Sequence, residues 1–167
     1  SRSARAPTGT VTSPLPPLSA YVHFPWCVRK CPYCDFNSHA ADGELPEAAY
    51  LEALRHDLRR QEGSIRRRPL GSVFFGGGTP SLVSPATIGR VLRLLADTFD
   101  FEPDIEITLE ANPGASDAAR FAGYRTAGVN RLSIGAQSFD DAHLRALGRI
   151  HGARDTDAAV RAARGAG

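Results

Sequence analysis

Cys27, Cys31 and Cys34 stand in the run Tyr21-Val-His-Phe-Pro-Trp-Cys27-Val-Arg-Lys-Cys31-Pro-Tyr-Cys34-Asp-Phe36, and they are the only cysteines of the chain. The C-x3-C-x2-C spacing gathers three thiolates in one tight loop. That is one ligand short of closing a four-coordinate metal site. A [4Fe–4S] cluster held by three thiolates keeps one iron open to an outside ligand, and an open iron is a place for chemistry. Thiolate donors suit such a soft centre, and Arg29 and Lys30 within the loop would offset its negative charge. Pro32 disfavours a helix through the spacing, so a wrapped loop is expected. The spacing alone also admits a Cys3His zinc site with His23 or His39 as fourth ligand, or three unrelated thiols. An odd number of cysteines in one cluster argues against a disulfide framework and for a reducing compartment. A cytoplasmic protein is therefore expected.

These residues need elements to hold them, and the chain alternates strand and helix four times. A strand over 20–24 runs into the cysteine loop. A helix starts near Pro46, a good first-turn residue, with Tyr50, Leu51, Leu54 and Leu58 on one face and Gly63 as its stop. A short apolar strand over 72–75 empties into Gly76-Gly77-Gly78-Thr79-Pro80. The next helix opens with Ser84 as N-cap and Pro85 at the first position, and Ile88, Val91, Leu92 and Leu95 recur at helical spacing. A strand over 104–110 alternates strictly, with Ile105, Ile107 and Leu109 on one face and Glu106, Thr108 and Glu110 on the other. A helix over 116–128, a strand over 130–135 and helical pieces over 140–147 and 156–164 follow. Repeated βα units predict a parallel sheet with right-handed crossovers. The apolar parity would meet the helices, and the polar parity would line the inside of a curved sheet. The cysteine loop, the glycine turn, Glu110 and Gln137 all follow strand C-terminal ends, the rim where βα barrels carry their sites. The fold class expected is α/β, a parallel (β/α) partial barrel of TIM type.

C-x3-C-x-aromatic-C directly after a first strand resembles the signature of the radical S-adenosylmethionine (SAM) superfamily. The resemblance implies a [4Fe–4S] cluster on Cys27, Cys31 and Cys34 whose open iron chelates the amino and carboxylate groups of SAM. In that family an electron from the cluster cleaves the sulfonium and a 5′-deoxyadenosyl radical forms. Gly76-Gly77-Gly78-Thr79-Pro80 resembles the family's GGTP element, which makes Gly77, Gly78 and Thr79 expected SAM contacts; glycines let the backbone approach a ligand closely. Leu109-Glu110-Ala-Asn112-Pro113 resembles the strand motif whose glutamate contacts SAM. Tyr21 and Tyr33 match SAM-contacting and adenine-packing aromatics. Asn130-Arg131-Leu-Ser-Ile-Gly135-Ala-Gln137-Ser138-Phe139 and Gly148-Arg149-Ile-His151 resemble elements of the coproporphyrinogen-dehydrogenase-like branch, with Ala136 where valine is usual. They add Gln137 and Arg149 to the expected cofactor contacts, and arginine suits carboxylate recognition. No catalytic residue is assigned.

Oxygen-independent coproporphyrinogen III oxidases usually carry a fourth cysteine two residues after the third; here Phe36 stands there. The run Pro25-Trp-Cys27-Val-Arg-Lys-Cys31-Pro-Tyr-Cys34-Asp-Phe36-Asn-Ser-His39 is similar instead to the HemW heme chaperones. That resemblance implies heme as cargo, delivery to a hemoprotein client and a low-potential electron donor as partner. The alternative it leaves is the oxidase itself, which decarboxylates propionates in heme biosynthesis through the deoxyadenosyl radical.

The 167 residues suffice for about one domain. A net charge of +2 gives no nucleic-acid footprint, and no apolar run is long enough to span a membrane, so membrane contact is expected only through a client. Residues 1–19, rich in Ser, Pro, Thr and Arg, read as a flexible lead-in, and 20–167 as the N-terminal part of the core domain. With no methionine and an end in Gly-Ala-Gly167, the chain is expected to be a piece of a longer protein, cut after about four βα units. Arg59, Arg60, Arg66, Arg67 and Arg68 read as a solvated helix end, with a patch for an acidic partner as the second reading.

Overall fold

The computed structural model describes residues 15–62 and 68–167. Residues 1–14 of the lead-in expected over 1–19, the helix stop at Gly63 and Arg66 and Arg67 lie outside the described residues, and the last two residues of that lead-in, Leu18 and Ser19, belong to a strand. Four parallel strands form one sheet: β1 (Leu18–Phe24), β4 (Leu70–Gly77), β5 (Phe101–Ala111) and β6 (Arg131–Ile134), neighbours in that order. Within this sheet each strand thus lies beside the sheet strand that follows it in the chain, as successive βα units place them. A short parallel ladder, β2 (Trp26–Cys27) with β3 (His39–Ala40), brackets the cysteine loop. The helices are α1 (Glu47–Glu62), α2 (Pro85–Ala96), α3 (Ala115–Ala118), α4 (Phe121–Ala127), α5 (Asp141–Ala146) and α6 (Ala153–Gly165).

The expected parity holds. Phe24, Phe75, Ile107 and Leu109 turn into a core with Ile88, Val91 and Leu92 of α2 and Phe121 and Tyr124 of α4. Phe24, Phe75, Ile88 and Leu109 are all fully buried, each contributing about 1.5–3 kcal/mol. The opposite face carries Tyr21 stacked on Phe74 (centroids 6.2 Å apart), and Arg131, which donates to Thr108 Oγ1 at 3.1 Å. α2 starts as its sequence predicts: Ser84 Oγ accepts from Thr87 N at 3.2 Å. Glu47 at the head of α1 accepts from Ser84 N at 2.8 Å and from Ser84 Oγ, which ties two helix starts together at the rim of the sheet. Hydrogen bonding holds the Glu47 carboxyl below the usual carboxylate range even though burial opposes it.

Several boundaries differ from the sequence reading, the last helix among them, which starts at Ala153 rather than at 156. β1 starts at Leu18, two residues early, and β4 and β5 run well beyond 72–75 and 104–110. The helix expected over 116–128 is broken between α3 and α4. At the break Arg120 donates to the carbonyls of Ser81 and Leu82 at 3.0 and 2.9 Å. Tyr124 Oη sits 2.7 Å from Ser81 O and 2.8 Å from Val83 O. The break therefore lets α4 grip the 3₁₀ turn Pro80–Leu82 that follows the glycines, and so fixes the glycine turn from behind.

Candidate functional site

The loop from Val28 to Ser38 carries no helix, as Pro32 predicts. Its ends are pinned by backbone bonds, His39 N to Pro25 O at 2.7 Å and Ala41 N to Cys27 O at 2.8 Å. Cys34 N donates to Cys31 O at 3.0 Å, folding Cys31-Pro32-Tyr33-Cys34 into a tight turn. Ser38, almost wholly buried, places Oγ 3.8 Å from Cys34 Sγ. His23 is spent on this scaffold. A carbonyl can only accept, so His23 Nε2–H donates to Asn37 O (2.8 Å) and Nδ1 accepts from Tyr21 Oη (3.0 Å). His39 Nε2 lies 3.0 Å from Asn37 Oδ1. Among the described residues no three Cys, His, Asp or Glu side chains converge as a single ion requires.

The three cysteines instead face a cavity of about 440 Å³ at the C-terminal ends of the strands. Tyr33, Phe36, Gly77, Gly78, Thr79, Glu110, Gln137 and Arg149 line it too. Tyr21 does not. It lies on the strand face below, 59% exposed, and reaches the site only through His23 and the charge of Glu110. Every other expected contact is gathered into one pocket.

The glycine turn is packed against the start of the cysteine loop. Gly78 N donates to Phe24 O and Thr79 N to Trp26 O, both at 2.6 Å. A Cβ on Gly77 would lie 2.7 Å from the His23 ring and from Phe24 O, and Gly77 has φ +110° besides. Only glycine occupies that conformation without strain. Gly77 N–H also donates to Glu110, and His23 lies near it, yet burial dominates and pushes the Glu110 carboxyl above its ordinary range.

Arg149 ties the pocket together. Its guanidinium lies 3.5 Å from Cys31 Sγ, 2.7 Å from Asn112 Oδ1 and 3.0 Å from Gly135 O. Asn112 in turn donates to Thr79 Oγ1 at 3.1 Å. One chain of hydrogen bonds thus joins loops that follow β2, β4, β5 and β6. Sequence reasoning quoted Asn112 within its motif and passed it over; the signal available was only its place two residues after Glu110. Asp117, buried beneath, has its carboxyl raised by burial while Arg120 and the Asn112 N–H favour the ionised form. Gln137 is the sole non-glycine residue with positive φ (66°) among the described residues, a conformation costing about 1–2 kcal/mol. His151, buried, donates from Nε2 to Ala136 O at 3.1 Å and braces that bend. Burial, and to a lesser degree Arg149, push the His151 pKa down.

The residues fit a cluster with a zwitterionic ligand beside it. Three thiols face one cavity, a backbone cradle excludes side chains, and Arg149 Nε is buried without a partner. A family model described as the radical SAM superfamily matches residues 21–167. The chain belongs to the radical SAM superfamily. Membership implies SAM and a [4Fe–4S] cluster. Among its relatives, the heme chaperone HemW of Haemophilus influenzae is 54% identical over 157 residues, covering 92% of this chain and 41% of that protein. HemW of Escherichia coli is 49% identical over 153 residues, covering 92% and 40%. The solved radical SAM enzyme coproporphyrinogen III oxidase (HemN) of Escherichia coli superposes with a TM-score of 0.80 at 32% identity, over 90% of this chain and 35% of that one. The expected partial βα barrel is therefore the architecture seen. The chain spans about two-fifths of the length of the curated relatives it matches.

Proposed function

We propose that this chain is the cluster- and SAM-binding part of a heme chaperone, which binds heme and passes it to hemoprotein clients. The carrying observation is the single pocket in which Cys27, Cys31 and Cys34 meet the Gly77-Gly78-Thr79 cradle, with the Phe36 ring rather than a fourth thiol on its wall. High identity to proteins named heme chaperone HemW supports the same reading. Cys27, Cys31 and Cys34 would hold the cluster. Gly77, Gly78 and Thr79 offer backbone groups to the methionyl end of SAM, and Glu110 offers a carboxylate to its ammonium or ribose. Tyr33 and Gln137 line the same pocket and would fix the nucleoside, and Arg149 would take a carboxylate while neutralising Cys31. When bound, the cluster supplies a low-potential electron to SAM, which makes an electron-donor protein a partner. Heme is cargo, and residues 20–167 form the N-terminal part of the core domain. The cytoplasm is the compartment in which free thiols such as these stay reduced. Among the described residues no helix is long and apolar enough to cross a membrane.

The second reading, a coproporphyrinogen oxidase, draws on the TM-score of 0.80 to that enzyme. Anaerobic reconstitution with iron and sulfide, with EPR after reduction with and without SAM, tests the shared core: the signal changes on adding SAM. Heme titration and coproporphyrinogen turnover by the full-length protein then separate the two. Stoichiometric heme binding without decarboxylation is expected. Turnover of coproporphyrinogen, or no heme binding, would overturn the chaperone reading.

A further inference from the structure

The outer helical layer carries a second concave feature that shares no residue with the cysteine pocket. It is a cleft of about 620 Å³ between α1 and α2, walled by Arg55, Arg59, Arg90 and Arg93 together with leucines from both helices. Arg55 and Arg59 are one turn apart on α1, Arg90 and Arg93 one turn apart on α2, so each pair shares a helix face. The two helices pack against each other, which brings both pairs to one opening. Among the described residues, Asp97 is the only acidic one lining it. Arg55 has Glu52 at 3.7 Å, but both side chains are largely exposed (45% and 69%) and the pair is weak. No ion pair among the described residues engages Arg59, Arg90 or Arg93.

Four guanidiniums cannot relieve their mutual repulsion by losing protons, because arginine stays charged at any physiological pH. An anion relieves it. Guanidinium forks match phosphate oxygens two at a time, and the cleft has the volume of a small-molecule site rather than the flatness of a protein interface. We propose that this cleft binds a compact, soluble polyanion carrying at least two phosphate groups. The inference is independent of the cofactor reading.

Calorimetric titration of the full-length protein with tripolyphosphate, SAM present in excess, tests it. Saturable one-to-one binding is expected. Arg59→Ala/Arg90→Ala/Arg93→Ala should weaken it at least roughly tenfold, since each lost charge-assisted bond matters, while the melting temperature and SAM binding stay as in the parent. Arg90→Lys/Arg93→Lys keeps the charge and loses the fork, so affinity should still fall roughly several-fold. No saturable heat, an unchanged affinity in the triple variant, or full affinity in the lysine pair would overturn the proposal. Arginine-dependent sedimentation with phosphatidylglycerol vesicles but not phosphatidylcholine vesicles, without tripolyphosphate binding, would overturn it in favour of a lipid surface. Because SAM binding is followed separately, failure here leaves the cofactor site untouched.

Discussion

Replacing Gly78 by alanine would set a Cβ 2.5 Å from the carbonyl oxygen of Trp26 and 2.8 Å from its carbonyl carbon. Both atoms are backbone, so no side chain can swing aside. The turn must move away from the cysteine loop, and the two 2.6 Å bonds from Gly78 N and Thr79 N must lengthen or break. Overpacking of this kind costs about 1–3 kcal/mol, and each strained hydrogen bond adds about 1 kcal/mol. A loss of roughly 3 kcal/mol in a chain of this size lowers Tm by roughly 6–12 °C. Gly165→Ala is the matched control. A Cβ there meets nothing within 4 Å, and at the last residue of α6 alanine also restricts the unfolded chain more than glycine does. Thermal melts of both variants, with iron counted per chain after reconstitution, read the two halves of the reasoning. Gly78→Ala should melt early and hold less cluster; Gly165→Ala should match or exceed the parent. A Gly78→Ala protein that melts with the parent and takes up its full complement of iron would refute the close-packing account.

Asn112→Leu should cut the bridge between Thr79 and Arg149, cost about 1–3 kcal/mol by stranding their polar groups, and weaken SAM binding more than tenfold; equilibrium denaturation and SAM titration check both. Arg149→Met removes a positive charge beside Cys31, so potentiometric EPR should find the cluster's reduction potential lower by about a few tens of millivolts, the worth of one screened charge. His151 has a depressed folded-state pKa, so the native state binds fewer protons than the unfolded chain. The stability it contributes is complete above the unfolded value of about 6.5 and is lost as pH falls toward the folded value. Tm measured against pH should decline across that window in the parent and decline less in His151→Gln.

The cysteine spacing, the glycine turn and Glu110 were legible because each is a local pattern whose chemistry belongs to a few adjacent residues. The strand order was legible for a similar reason: βα repeats leave few right-handed alternatives. The bond between Asn112 and Arg149 was different, although Arg149 itself was expected at the site. Their bond is set by where four loops end in space, and no periodicity records that. The break between α3 and α4 was hidden because Arg120 spends its side chain on the carbonyls of Ser81 and Leu82, a tertiary gain that local helix propensity does not register. Tyr21 was expected in the cofactor pocket by its place before Cys27; it shares the sheet face of Glu110 but sits lower along the strands, level with Phe74 and outside the pocket lining.

The contact between Arg149 and Cys31 spans 118 residues of chain. During synthesis the cysteine loop emerges long before the guanidinium that will lie against it. At about 5–20 residues per second, that interval lasts roughly 6–24 s. Through it the three thiols are present without the loop that walls them in, and a cluster inserted then would sit in a half-built chamber open to oxidants. The order in which the ribosome delivers the walls thus favours loading once the Arg149 loop has emerged and closed over the thiols.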